Sequence, residues 1–206
     1  MEGAHGTARK VDTVARRDMI LRAAVRVFAR QGFAATRVED VAAEAGVAKG
    51  SVYLCFDSRD ALLVAAFEEY AAQAQAVIQQ ARSGAGDGLE RLASLVRSVV
   101  DTVAAEPELA RILVDLWAAR RRGEATGVDI RAVYREYRAV IAELLADAEA
   151  EGISRAGVGE GHAAVVVGAI EGCVLQWIVD PALPIAEPAA PIVDVCVEGL
   201  RRRGAA

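Results

Sequence analysis

The 206-residue chain is poor in the residues that most often carry chemistry. It has two histidines and three cysteines, and only 5% of it is aromatic. His5 lies in a polar amino-terminal stretch and His162 opens an apolar segment, so neither has a nucleophile at hand. Cys55, Cys173 and Cys196 are far apart and odd in number, which gives neither a metal-ligand spacing nor a disulfide framework and fits a reducing cytoplasm. Zincin, nucleophile-elbow and dinucleotide fingerprints are missing. The glycine cluster Ser83-Gly84-Ala85-Gly86-Asp87-Gly88 lacks the Lys-Ser/Thr ending of a phosphate loop and follows no strand. No enzyme, no cofactor and no metal site is therefore expected. A small hydrolase is the weakest reading, and a helical scaffold or adaptor is a further alternative.

Long apolar runs are also scarce. The best candidate, Ala163 to Val179, is interrupted by Glu171 and Gln176 and is short for the roughly 20 residues a bilayer needs, so no membrane partner is expected. Met1 to Lys10 is polar and does not read as a signal peptide. Strand-like alternation never persists beyond a few residues. What is abundant is alanine and valine. The chain is 54% hydrophobic with a mean hydropathy of +0.25, apolar enough to suggest surface buried in a second subunit. The net charge is −5, unevenly spread. Residues 1–60 carry ten Lys/Arg against eight Asp/Glu, and the remainder fourteen against twenty-one. A chain whose acidic bulk repels phosphate while its amino-terminal end attracts it should dock on nucleic acid by that end.

The helical periods run almost end to end. Residues 1–11 lack one and read as an arm. Ile20, Ala23, Ala24, Val27 and Phe28 then share a face, and Gly32 stops that helix. Thr36 is a good N-cap with Glu39 three residues on. Val38, Val41, Ala42 and Ala45 give the next helix its apolar stripe, and Gly46 ends it. A second short helix is expected from about Ala48 to Cys55, burying Val52 and Phe56. Two short helices joined through a glycine turn, with a small residue at Ala42 to let them approach, make a helix-turn-helix whose second helix is shaped for a major groove. Further helices follow from about Arg59, Leu89, Pro107, Val128, His162 and Pro191. The expected fold is all-α.

The run from Ala45 to Leu62, AGVAKGSVYLCFDSRDAL, resembles the DNA-binding signature of TetR-family transcriptional repressors, because Gly46, Val47, Gly50, Tyr53, Phe56 and Leu62 stand together. The family usually has His or Tyr at the position of Cys55 and Lys at that of Arg59. More loosely, PELARILVDLWAARR and EGCVLQWIVDP resemble the ligand-binding half of the BetI-like subgroup. The resemblance implies about nine helices and a homodimeric, ligand-responsive repressor of operator DNA. It implies a DNA-binding domain over 1–58 and a ligand-binding and dimerisation domain over 59–206. By resemblance, Lys49 and Tyr53 meet phosphates and Arg59 clamps another. Thr36 offers a hydroxyl at a helix start, Arg37 is a candidate for base or phosphate, and Ala48, Ser51 and Leu54 lie nearest the base edges. Gly50 lets the backbone approach closely.

The effector site is read from polar and aromatic interruptions of apolar faces: Arg111, Asp115, Trp117, Tyr134, Tyr137, Glu171 and Trp177. The competing reading makes most of them rim residues or satisfied core groups. Aromatic faces beside a carboxylate lean towards a cationic or amphipathic organic effector, while an Arg111–Glu171 pair would leave a merely hydrophobic pocket. Ala164, Gly168 and Gly172 recur every four residues, and with Ile192, Val195, Cys196 and Gly199 they form the expected dimer face.

Overall fold

In the computed structural model, which describes residues 3–121, 123 and 127–202, nearly all regular structure is helical. The helices are α1 (Gly3–Gln31), α2 (Val38–Ala45), α3 (Lys49–Tyr53), α4 (Arg59–Ser83), α5 (Gly88–Ala105), α6 (Pro107–Arg121), α7 (Ile130–Ala150), α8 (Glu160–Val179) and α9 (Ala189–Cys196), followed by a 3-10 turn over Glu198–Leu200. Among the described residues the single β element is an isolated bridge between Ser154 and Arg201. The fold is all-α, as expected.

The helices sort into two compact units that interleave along the chain. The first comprises residues 1–71 and 108–128, the second 72–107 and 129–206. Thus α6 falls in the same compact unit as the helix-turn-helix. In the first unit α1 buries Ile20, Ala23, Ala24, Val27 and Phe28, α2 buries Val38, Val41 and Ala42, and α3 buries Val52. Leu62 and Leu63 of α4 are fully buried as well. Removing a leucine or isoleucine side chain of this kind from water contributes about 1.5–3 kcal/mol.

The second unit has its own core. Leu89, Leu92 and Val96 of α5 pack with Val140, Ile141, Leu144 and Leu145 of α7, Ala163 and Val166 of α8, and Ile192 and Val193 of α9. The glycine cluster serves this packing. Asp87 caps α5 by accepting from the Glu90 N–H at 2.8 Å, and Glu90 returns a bond from the Asp87 N–H. A Cβ on Gly88 would collide with the Leu144 carbonyl oxygen and with Ala148, so α5 meets α7 backbone to backbone there.

Three local expectations need correction. The helix starts at Gly3, so the stretch read as an arm is helical from that residue on, and its alanine, arginine and lysine are good helix formers. The N-cap of α2 is Arg37, not Thr36, and Asp40 rather than Glu39 reaches back, accepting the Arg37 N–H at 2.8 Å. The last helix breaks after Cys196, where Val197 turns into the core and the chain closes on residues 153–155 through the Arg202 N–H to Ile153 and the Arg155 N–H to Leu200.

Candidate nucleic-acid interface and effector domain

The recognition element is built on α2 and α3. Gly46 adopts φ +67, a left-handed conformation that glycine takes without penalty, and the Gly46 and Val47 N–H groups close on the Ala43 and Ala42 carbonyls. That turn presents α3. Val52 is buried beneath it, while Ala48, Lys49, Gly50, Tyr53 and Leu54 are exposed and Ser51 is half-buried. Leu54 is 82% exposed, a large apolar side chain standing free on a helix end. A Cβ on Gly50 would meet nothing within 4 Å, so the backbone there is open to an approaching surface. Arg37 is exposed beside it.

Lys49 is not a bare cation. Its Nζ lies 2.6 Å from Glu39 Oε1 and 5.8 Å from the Tyr53 ring centroid. The hydrogen bond from Lys49 holds the Glu39 carboxyl below its ordinary range, and the same bond holds the Lys49 ammonium above its own. Sequence reasoning missed Glu39 in this role, because no local pattern joins residues ten apart on different helices.

Two of the expected phosphate contacts are placed elsewhere. Thr36 is buried: its hydroxyl donates to the Gly32 carbonyl at 2.8 Å and its N–H bonds Phe33, so neither group faces outwards. Arg59 lies with its guanidinium 4.2 Å over the Phe33 ring and donates to the Ala34 and Thr36 carbonyls at 3.2 Å each. It buttresses the corner before α2. The basic face of α1 is also partly compensated, since Arg26 and Arg30 both pair with Glu44, whose carboxyl is lowered by those bonds, Arg26 first.

The expected effector residues divide between the two units. Arg111, Asp115 and Trp117 lie on α6 in the first; Tyr134, Tyr137, Glu171 and Trp177 lie on α7 and α8 in the second. The Asp115 carboxylate accepts the Phe33 N–H at 2.8 Å, which commits it to the helix-turn-helix unit. Of the α7–α8 residues, Tyr134 links Glu171 with Tyr137. Glu171 is half-buried, and burial pushes its carboxyl up despite a hydrogen bond from Tyr134 and the charge of Arg138. Tyr134 and Tyr137 meet edge to face at 6.4 Å. The partner of Glu171 that the sequence left open is thus supplied within α7.

The expected dimer residues are mostly outward. Ala164 and Val195 are exposed, and a Cβ on Gly168, Gly172 or Gly199 would meet nothing within 4 Å. Val165, Leu175, Val179 and Leu183 are exposed beside them. Ile192 is the exception: it is buried in its own unit's core, with Cys196 half-buried behind it. By length and composition alone α8 is apolar enough to cross a membrane, contrary to the sequence reading, and only 17% of its most apolar window is buried.

A helix-turn-helix carrying an open, apolar-tipped recognition helix, joined to a separate helical unit, defines a DNA-binding regulator. Comparison with known proteins makes this specific. The model of the bacterial regulatory proteins of the TetR family matches residues 20–66, and that of the BetI-type transcriptional repressor C-terminal domain matches residues 88–202. The chain belongs to the TetR family and is a ligand-responsive, DNA-binding transcriptional repressor of that type. It is 30% identical to the nicotine-responsive transcriptional repressor HdnoR of Paenarthrobacter nicotinovorans over 85% of this chain and 90% of that one. The repressor NicS of Pseudomonas putida is 25% identical over 75% and 73% of the two chains. Among solved structures, the fatty acid degradation regulator FadR from Bacillus halodurans superposes with a TM-score of 0.78 at 25% identity, covering 91% of this chain and 97% of that one. Proteins of this family bind operator DNA and small-molecule effectors and act as dimers.

Proposed function

We propose that the protein reads its operator mainly through α3, with residues 1–58 as DNA-binding module and 59–206 as effector and dimerisation module, and that it acts in the cytoplasm without a catalytic step of its own. Lys49 and Tyr53 meet phosphates; Ala48, Ser51 and Leu54 face base edges, and Arg37 adds a contact beside them. The observation that carries this reading is the exposed, clash-free face of α3 over a buried Val52. With few bidentate donors on that face, DNA shape contributes to specificity. A gel shift with DNA from upstream of the gene tests it: a discrete complex that unlabelled specific duplex displaces is expected, and a smear displaced equally by any duplex refutes it.

The effector is a cationic or amphipathic organic molecule held by Glu171, Tyr134, Tyr137 and Trp177. Support comes from a half-buried carboxylate whose ionised form is disfavoured, hydrogen-bonded by Tyr134 with Tyr137 edge-on beside it, and from a relative that responds to nicotine. Arg138 opposes it by already facing Glu171. Size-matched cationic, neutral and anionic ligands are to be compared by thermal shift on the wild type and on Glu171→Gln. Best stabilisation by anions, or cation binding untouched by the substitution, overturns the assignment. Homodimers form through the exposed small-residue stripe of α8 together with Val195 and Gly199.

A further inference from the structure

The corner between α1 and α2, residues 32–36, is held from two sides. Gly32 adopts φ +79, and the Phe33 N–H that follows points at the α6 carboxylate of Asp115, 2.8 Å away. A Cβ on Gly32 would come within 3.3 Å of the same oxygen. On the other side Arg59 of α4 covers the Phe33 ring and binds the Ala34 and Thr36 carbonyls. Within the corner Phe33 packs edge-on against Phe28 at 5.5 Å, and Thr36 bonds Gly32 and Phe33. Arg37, the next residue, is the N-cap of α2. The corner therefore sets where α2 begins, and α2 carries the turn that presents α3.

Asp115 is half-buried, and a carboxylate accepting a backbone N–H out of water makes a charge-assisted bond, stronger than a neutral one. Two observations single it out. Asp115 is 82 residues from Phe33 in sequence, so the bond does not arise from local folding. It also lies in the segment matched by the C-terminal repressor model, yet α6 is compact with the helix-turn-helix.

We propose that Asp115 is a positioning residue for operator recognition: it fixes the α1–α2 corner, and through it the seat of α2 and α3, and it is not an effector ligand. This rests on the operator-binding reading above. Specific binding requires α3 at a defined angle in the groove, because base contacts specify, whereas non-specific binding depends chiefly on charge near phosphates. Loss of the bond should therefore weaken the first and spare the second.

The test uses the full-length dimer and two duplexes of equal length, one carrying the operator and one of shuffled sequence, at a single salt concentration. Asp115→Ala and Asp115→Asn remove the same charge, but the Asn amide oxygen can still accept the Phe33 N–H. A difference between them reports the hydrogen bond and not the electrostatics. Asp115→Ala should lose about tenfold or more in operator affinity, the size of a lost hydrogen bond to a charged group. Asp115→Asn should keep most of it, and both should bind the shuffled duplex alike. The thermal shift that the size-matched cationic ligands give the DNA-free protein should be unchanged in both. The proposal is overturned if Ala and Asn behave alike on the operator, if both duplexes weaken in proportion, or if that thermal shift falls. If Asp115→Ala does not fold, Asp115→Glu takes its place. It keeps the charge and moves the carboxylate by one methylene, and wild-type operator affinity in that variant overturns the proposal. A wild type that cannot tell the two duplexes apart would instead remove the operator reading itself.

Discussion

At the scale of single residues, Lys49 shows how a structure changes the expectation for a phosphate contact. A free lysine exchanges a loose counterion for a phosphate, whereas Lys49 must open or share its bond to Glu39. Both side chains are about half exposed, so the pair is weak, yet it occupies the ammonium that DNA needs. Lys49→Ala should weaken binding to all duplexes and lower the salt slope by about one. Glu39→Gln should strengthen binding by a few-fold, and this gain should shrink once Lys49 is replaced. Equal gains from Glu39→Gln in wild-type and Lys49→Ala backgrounds would mean that Glu39 acts only as a nearby negative charge. Glu171 gives a second residue-scale prediction. Its folded pKa is raised by burial, so the folded protein binds its proton where the unfolded chain has lost it. Stability from this group is present at low pH and is lost as pH rises through the folded pKa. Relative to Glu171→Gln, which still accepts from Tyr134, the wild type should gain melting temperature as pH falls from neutral to the ordinary glutamate value of about 4.3. A gap that stays constant across that range rules out the shift.

Elements were legible where a period is long and a stop signal strong. The stripes of α1 and α2 and the turn at Gly46 predicted helices that the structure contains, because burial of one face dictates the spacing. What could not be read was which polar group closes which end. Thr36 and Glu39 form as good a cap pattern as Arg37 and Asp40; tertiary bonds to Gly32 and Lys49 decide between them. Nor does α6 announce its unit, since the apolar face of Leu109, Ile112 and Leu116 would suit either core. The glycine cluster does not read as a phosphate loop, and its last residue is an element-scale contact. Gly88→Val forces α5 away from the Leu144 carbonyl and Ala148, and overpacking of this kind costs about 1–3 kcal/mol. Chemical denaturation should show that loss with an unchanged slope, whereas Gly161→Ala, on α8 where a Cβ meets nothing within 4 Å, should cost nothing and gain up to about 1 kcal/mol of helix propensity. If Gly88→Val matches wild-type stability, the close α5–α7 approach is not a constraint on this fold.

For the whole molecule, part of the apolar content lies on the surface of α8 and α9, at Val165, Leu175, Val179 and Val195. The subunit contact proposed on α8 rests on its glycine spacing, although Ile192 belongs to the internal core because α9 turns that side towards α5 and α8. Glycine inside a helix costs about 1 kcal/mol relative to alanine and needs a compensating reason. Within one chain there is none at Gly168 and Gly172, where a Cβ meets open space. The close approach of a second chain proposed above would supply it, and would cover the exposed Val165, Leu175 and Val195 as well. Gly168→Leu should therefore leave the isolated subunit's packing intact while blocking association. Sedimentation is expected to give monomer or irregular aggregate for this variant and dimer for the wild type. The melting temperature of the wild type should rise with protein concentration, since association stabilises only the folded state, and that of the variant should not. Operator binding should fall with dimer content, because two half-sites need two recognition helices at a fixed separation. A Gly168→Leu protein that sediments as a normal dimer would place the contact elsewhere than the α8 stripe.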